Sequence, residues 1–173
     1  ILINEFVVFA NARYPLNVAT GDLDRDGIDE IVVAPRVGPP IVRIFNAQGT
    51  LLKEFASYAK SQANGVRLNI VDTNNDGWRE IVTIPASGIP EIKLFNNEGR
   101  LLTPSWRVAS LKKFGSNIIA SADLNNDGDE EIIVYSSQDR SWLHILNKNG
   151  KEVEKINLQY TGLKSIGDMV YVK

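Results

Sequence analysis

Short apolar runs alternate with polar turns along the whole chain. The runs at 31–34, 81–84 and 132–135 are rich in β-branched residues and too short for helices. Each is followed by a connector, Gly/Pro/Ser-rich in the first two, then by a second run of five at 41–45, 91–95 and 142–146. A further run precedes each set, at 16–19, 66–70 and 117–120. A fourth begins at Leu51-Leu52, at Leu101-Leu102 and at Val153. The pattern predicts four strands, here a to d, repeated three times.

Two polar landmarks recur in register with these runs. The first is an acidic stretch of nine: residues 22–30, 72–80 and 123–131, called loops 1, 2 and 3. Their first Asp residues are 50 and then 51 positions apart. The second is an Asn-x-x-Gly turn ending at Gly49, Gly99 and Gly150. Each turn glycine follows its loop glycine (Gly27, Gly77, Gly128) by 22 residues. The acidic loop lies between strands a and b, and the glycine turn closes a hairpin between c and d. Four-stranded repeats of this length predict an all-β chain of β-propeller blades: three four-stranded antiparallel blades plus two flanking half-repeats. Strand a should be innermost and strand d outermost.

The expected boundaries follow. The whole of 1–173 is one propeller segment. Residues 1–14 are a partial repeat contributing a strand d, since residues 2–6 match 51–55. Blades span 15–62, 63–113 and 114–162, and 163–173 is a partial repeat opening on a strand a at 169–172. This reads as an excerpt from a longer array.

Composition narrows the chemistry. There is no cysteine, which removes thiol catalysis, disulfides and zinc-thiolate sites. Nineteen basic residues face 21 acidic ones without a basic block, so a nucleic-acid partner is not expected. No apolar run approaches the roughly 20 residues of a membrane helix, so membrane insertion of this segment is not expected either.

Ten of the 21 acids stand in the three loops at positions 1, 3, 5 and 9. Alternating carboxylates and amides put several hard oxygens on one side of a tight turn, and glycine at position 6 permits it. That donor set suits calcium. An EF-hand would carry its bidentate Glu at position 12, where Val33, Thr83 and Val134 stand instead. Here the last acid falls at position 9. The expected ligands are side chains 1, 3, 5 and 9 with the backbone carbonyl of position 7. In loop 1 these are Asp22, Asp24, Asp26, Ile28 and Glu30. In loop 2 they are Asp72, Asn74, Asp76, Trp78 and Glu80. In loop 3 they are Asp123, Asn125, Asp127, Asp129 and Glu131. Three Ca2+ sites on one rim are expected. Asp-Gly and Asn-Asp-Gly are also ordinary turn formers, but three copies with the same final acid favour the metal.

The loop pattern, with the strand that follows it, resembles the FG-GAP or VCBS-type calcium-binding repeat. That repeat builds the integrin α-subunit propeller and occurs in bacterial surface proteins. Residues 38–46 are similar to the bacterial branch. The resemblance implies calcium-loaded propeller blades, an extracellular or cell-surface setting, and a scaffold or adhesion role. It places ligand duties on the same side chains at positions 1, 3, 5 and 9. Glu stands at position 9 where the family more often has Asp.

An enzymatic reading finds little to build on. His144 is the only histidine, and it shares its strand c position with Arg43 and Lys93, which suggests a solvated face. No triad can be assembled around it. Trp78, Trp106 and Trp142 could stack on sugars, though strand aromatics more often pack. The expectation is therefore a non-catalytic calcium-stabilised segment. The alternatives are a subunit or decoration of an extracellular filament or surface layer, and a carbohydrate-binding accessory module of an enzyme. Expected partners are another protein or a second copy, met through the terminal strands, and a glycan.

Overall fold

The computed structural model describes residues 5–10, 15–59, 61, 65–108, 110, 111, 115–137, 139 and 141–158. The expected end strands at 2–6 and 169–172 lie wholly or mostly outside them. Among the described residues there are thirteen β-strands and no α-helix. Three antiparallel sheets result.

The first sheet runs β1 (Leu16–Gly21), β2 (Glu30–Pro35), β3 (Ile41–Phe45) and β4 (Leu51–Ala56) in chain order. The second contains β5 (Val66–Val71), β6 (Glu80–Pro85), β8 (Glu91–Phe95) and β9 (Trp106–Arg107). The third contains β10 (Gly115–Ala122), β11 (Glu131–Ser136), β12 (Trp142–Leu146) and β13 (Glu152–Asn157). Here β7 (Ser87–Gly88) leaves the second repeat and pairs with Gly115 and Ser116 at the free side of β10. The sequence pattern treats 86–90 as a plain connector, whereas it stitches two sheets together.

The second strand d is broken. Leu101 makes one bridge to Phe95, and pairing resumes only at Trp106. Pro104 lies in the gap and has no N–H for the ladder.

The first strands of the sheets lie side by side. The Asn17 side-chain amide donates to the Leu68 carbonyl at 3.3 Å, and the Asn69 amide donates to Ser121 Oγ at 3.0 Å. Glycine at position 21 belongs to this contact, since a Cβ there would sit 2.8 Å from Ile70 Cγ2. Two apolar clusters fill the spaces between sheets. One joins Val32, Val42 and Ile44 to Leu68, Ile70 and Ile81. The other joins Val82, Ile84 and Leu94 to Ile119, Ile132 and Val134. Strands β4 and β13 are largely exposed.

The Asn-x-x-Gly turns form as expected, each with the Asn side-chain Oδ1 accepting two backbone N–H groups ahead of it. The turn glycines have φ of +80°, +72° and +71°. Each is also packed closely against an aromatic side chain from the preceding repeat: Phe6 on Gly49, Phe55 on Gly99, Trp106 on Gly150. Trp106 is thereby committed to packing.

The strand c cations are partly buried. Arg43 donates to the Val8 carbonyl and stacks 4.4 Å from the Phe9 ring. Lys93 donates to the Ser57 carbonyl at 3.1 Å. His144 is fully buried, with Nε2 3.4 Å from Asp139 Oδ2 and Nδ1 3.4 Å from Glu152 Oε2. The solvated-face expectation for His144 is therefore wrong. Arg43 and Lys93 point into the seam with the preceding repeat, and the shorter imidazole is sealed beneath its two carboxylates.

Candidate metal centre

Strand register builds each acidic loop. In β1–β2, β5–β6 and β10–β11 the last ladder pairs are Gly21 with Glu30, Val71 with Glu80 and Ala122 with Glu131. The position 9 Glu is thus the first residue of strand b, and the loop is pinched off directly above it.

Inside the pinch the three loops repeat one hydrogen-bond scheme. The position 1 Asp accepts the glycine N–H of position 6 at 3.0, 2.9 and 3.0 Å in loops 1, 2 and 3. The position 3 oxygen accepts the N–H of position 5. The position 5 Asp accepts the N–H of position 7 at 2.7, 2.7 and 2.9 Å. The residues at position 4 are left-handed: Arg25 at φ 65°, Asn75 at 53° and Asn126 at 60°. Asn takes this conformation readily, whereas Arg does so under strain. The loop glycines follow at +86°, +78° and +94°.

The position 9 glutamates have a structural task that their sequence position does not disclose. Glu30, Glu80 and Glu131 are buried, and each accepts the backbone N–H of position 2 through Oε2: Leu23 at 3.0 Å, Thr73 at 3.1 Å, Leu124 at 3.0 Å. Glu80 also accepts from Thr73 Oγ1 at 2.9 Å. The longer Glu arm reaches back across seven residues and closes the loop.

The carboxylates strain against one another. Burial raises the pKa of Glu30; the Leu23 N–H opposes this, and the charges of Asp24, Asp26 and Asp22 push it up further. Burial raises Glu80 likewise, opposed by Thr73 and reinforced by Asp72 and Asp76. Asp76 is held below its usual value by the Trp78 N–H, then the Asn74 amide, with help from Arg25.

Oxygens of Asp22, Asp24 and Glu30 lie within 4.8 Å of one another. No other three acids come as close among the described residues, and Asp26 stands outside the group. Loops 2 and 3 carry Asn at position 3, and its amide nitrogen bonds the position 5 carboxylate at 2.9 Å in both. Asp72 Oδ1 is buried with no hydrogen-bond partner, although its counterparts on Asp22 and Asp123 accept the position 4 N–H at 2.6 and 2.7 Å. A buried carboxylate oxygen without a donor is a vacancy that a cation fits. The donors are all hard oxygens, as calcium requires.

The loops touch in series. Arg25 Nε donates to the Gly77 carbonyl at 2.9 Å, and its guanidinium lies 4.5 Å from the Trp78 ring. Arg79 pairs with Glu130 at 3.3 Å, and the Glu130 N–H donates to the Asp72 carbonyl at 3.0 Å. All three loops therefore share one end of the molecule.

Residues 72–134 match the FG-GAP-like repeat model. The matched stretch opens on the first Asp of loop 2 and closes within β11, so it includes loops 2 and 3. The chain also resembles the crystal structure of the V. cholerae biofilm matrix protein Bap1, at 21% identity and a TM-score of 0.38. That similarity covers 82% of this chain and 28% of the other, so this chain spans under a third of that protein's length. Among curated proteins none matches.

Proposed function

We propose that this chain is a non-catalytic, calcium-stabilised β-propeller segment of a secreted or cell-surface protein, serving as a scaffold or adhesion module. The observation that carries the reading is the loop architecture. Three loops hold the same oxygens in place with the same backbone bonds, and one buried carboxylate oxygen lacks any donor. Asp22, Asp24, Asp26 and Glu30 would hold the first ion with the Ile28 carbonyl. Asp72, Asn74, Asp76 and Glu80 would hold the second with that of Trp78. Asp123, Asn125, Asp127 and Glu131 would hold the third with that of Asp129. Bound calcium would neutralise carboxylates that burial, and then the neighbouring aspartates, push upward at Glu30 and Glu80.

Adjacent first strands and outward fourth strands support blades arranged around an axis. The single histidine, sealed between two carboxylates, supports a non-catalytic role. The FG-GAP-like repeat match supports an extracellular setting, where an affinity on the order of 10⁻⁴–10⁻³ M would suffice for calcium. A protein partner or second copy would meet the chain through its terminal strands. On the flank of β1, Val18 is 56% exposed, whereas its counterparts Leu68 and Ile119 are buried.

Calorimetric titration of chelator-stripped protein tests the reading. Calcium should bind at three sites, with magnesium competing poorly. Absence of calcium binding would overturn it.

A further inference from the structure

We propose that the groove between loop 2 and the last two Asn-x-x-Gly turns binds a neutral oligosaccharide. The groove holds about 550 Å³, within the range of small-ligand sites. One side presents the Trp78 indole, which is 46% exposed. Arg25 lies against that ring, 4.5 Å from its centroid, and is not itself among the residues lining the groove. Leu102 adds apolar area. An exposed indole beside aliphatic carbon is suited to the C–H face of a pyranose ring.

Hydroxyl-reading groups surround it. The side-chain amides of Asn97 and Asn149 line the groove and make no hydrogen bond among the described residues, so their donors and acceptors are available. Amides both donate and accept, which matches the paired donor and acceptor character of sugar hydroxyls.

Charge selects against an anion. Both cations at the groove are already engaged, Lys148 with Asp129 at 2.6 Å and Arg79 with Glu130 at 3.3 Å. A sulfated or phosphorylated ligand would find both cationic side chains of the groove already paired.

The site shares Asn74, Asp76 and Glu80 with loop 2, so the proposal rests on that loop being calcium-ordered, and its test is done in excess calcium. The probes are cellohexaose, mannohexaose, galactohexaose and chitohexaose, with a heparin hexasaccharide as the anionic comparison. Binding is read by tryptophan fluorescence and calorimetry. At least one neutral probe should bind and shift the emission. Trp78→Ala should weaken it at least ~tenfold, and Asn97→Ala should weaken it measurably. Asn149→Ala separates binding from folding. Its exposed side chain makes no hydrogen bond among the described residues, so stability and calcium titration should match the parent, while oligosaccharide affinity falls. No binding of any neutral probe, preference for the heparin fragment, or binding unaffected by Trp78→Ala and Asn149→Ala would each overturn the proposal. Each could occur with calcium binding intact, which leaves the metal reading standing.

Discussion

Lys93 holds its ammonium 4.5 Å from the centre of the Tyr58 ring. It also donates to the Ser57 carbonyl, so one side chain of strand c clasps the segment leaving the previous sheet. Tyr58 is buried there and donates to the Glu91 carbonyl at 2.7 Å, with Thr83 Oγ1 3.1 Å away. Arg43 and Phe9 repeat the arrangement one sheet earlier. The seam between repeats is thus fastened by cations as well as by apolar packing. Tyr58→Phe leaves the part-buried Glu91 carbonyl without this donor and should cost about 1–2 kcal/mol in denaturant unfolding.

The same tyrosine sets an alkaline limit. Burial pushes its phenol well above the ordinary range, Thr83 counteracts this only in part, and Glu91 adds to it. A raised folded pKa means the unfolded chain loses its proton first. The stabilisation from Tyr58 is complete below about pH 10 and declines as pH rises above it. A spectroscopic titration should therefore show Tyr58 ionising only as the protein unfolds, and Tyr58→Phe should flatten the alkaline loss of stability.

Much of this was legible in the chain itself. Strand c in every repeat, at 41–45, 91–95 and 142–146, has the bounds that the apolar runs indicate. Position and period were also enough to find the loops and glycine turns. What stayed hidden depends on neighbours distant in sequence. Nothing local to His144 says that Asp139 and Glu152 close over it. Nothing local to Glu30 says that its carboxylate reaches Leu23 N–H. Pairing of Ser87–Gly88 with the third sheet depends on where β10 lies. Pro104 was a readable sign of the broken fourth strand. Asn at position 4 of loops 2 and 3 was a readable sign of left-handed backbone.

Glu80→Gln should have opposite effects with and without calcium. Gln keeps an oxygen for Thr73 but removes a buried charge facing Asp72 and Asp76. In chelator the variant should be at least as stable as the parent, and in calcium it should be weaker at the second site. The pH dependence agrees in sign. With its folded pKa raised above 4.5, Glu80 stabilises the metal-free protein below that pH, and this contribution is lost as pH rises through the folded value. Calcium affinity should fall on acidification, as protonation takes a ligand away. Thermal unfolding across pH 4–8, with and without calcium, checks both.

Two glycine substitutions separate backbone strain from crowding. Gly27 has φ +86° with open space around a Cβ, so Gly27→Ala should cost about 1 kcal/mol. Gly150 has φ +71°, but a Cβ would lie 2.1 Å from Trp106 Cγ. Gly150→Ala should cost about 2–4 kcal/mol, because the indole must also leave the turn. Equal losses in chemical denaturation would contradict the packing described for Trp106.

Loop 1 presents four carboxylates, and loops 2 and 3 present three and an Asn. Asp24→Asn makes the first loop match the others, and its amide would bond Asp26 as Asn74 bonds Asp76. The tightest calcium step should weaken toward the other two while those stay unchanged in calorimetry.

The most direct measurement is a calcium-loaded crystal structure of residues 1–173 with anomalous difference density. Three peaks are expected, one per loop at a single end of the molecule. Each should have only oxygen ligands at about 2.3–2.6 Å, including positions 1, 3, 5, 7 and 9. Ordered loops without density, or a cation held by nitrogen or away from these residues, would contradict the calcium-stabilised reading.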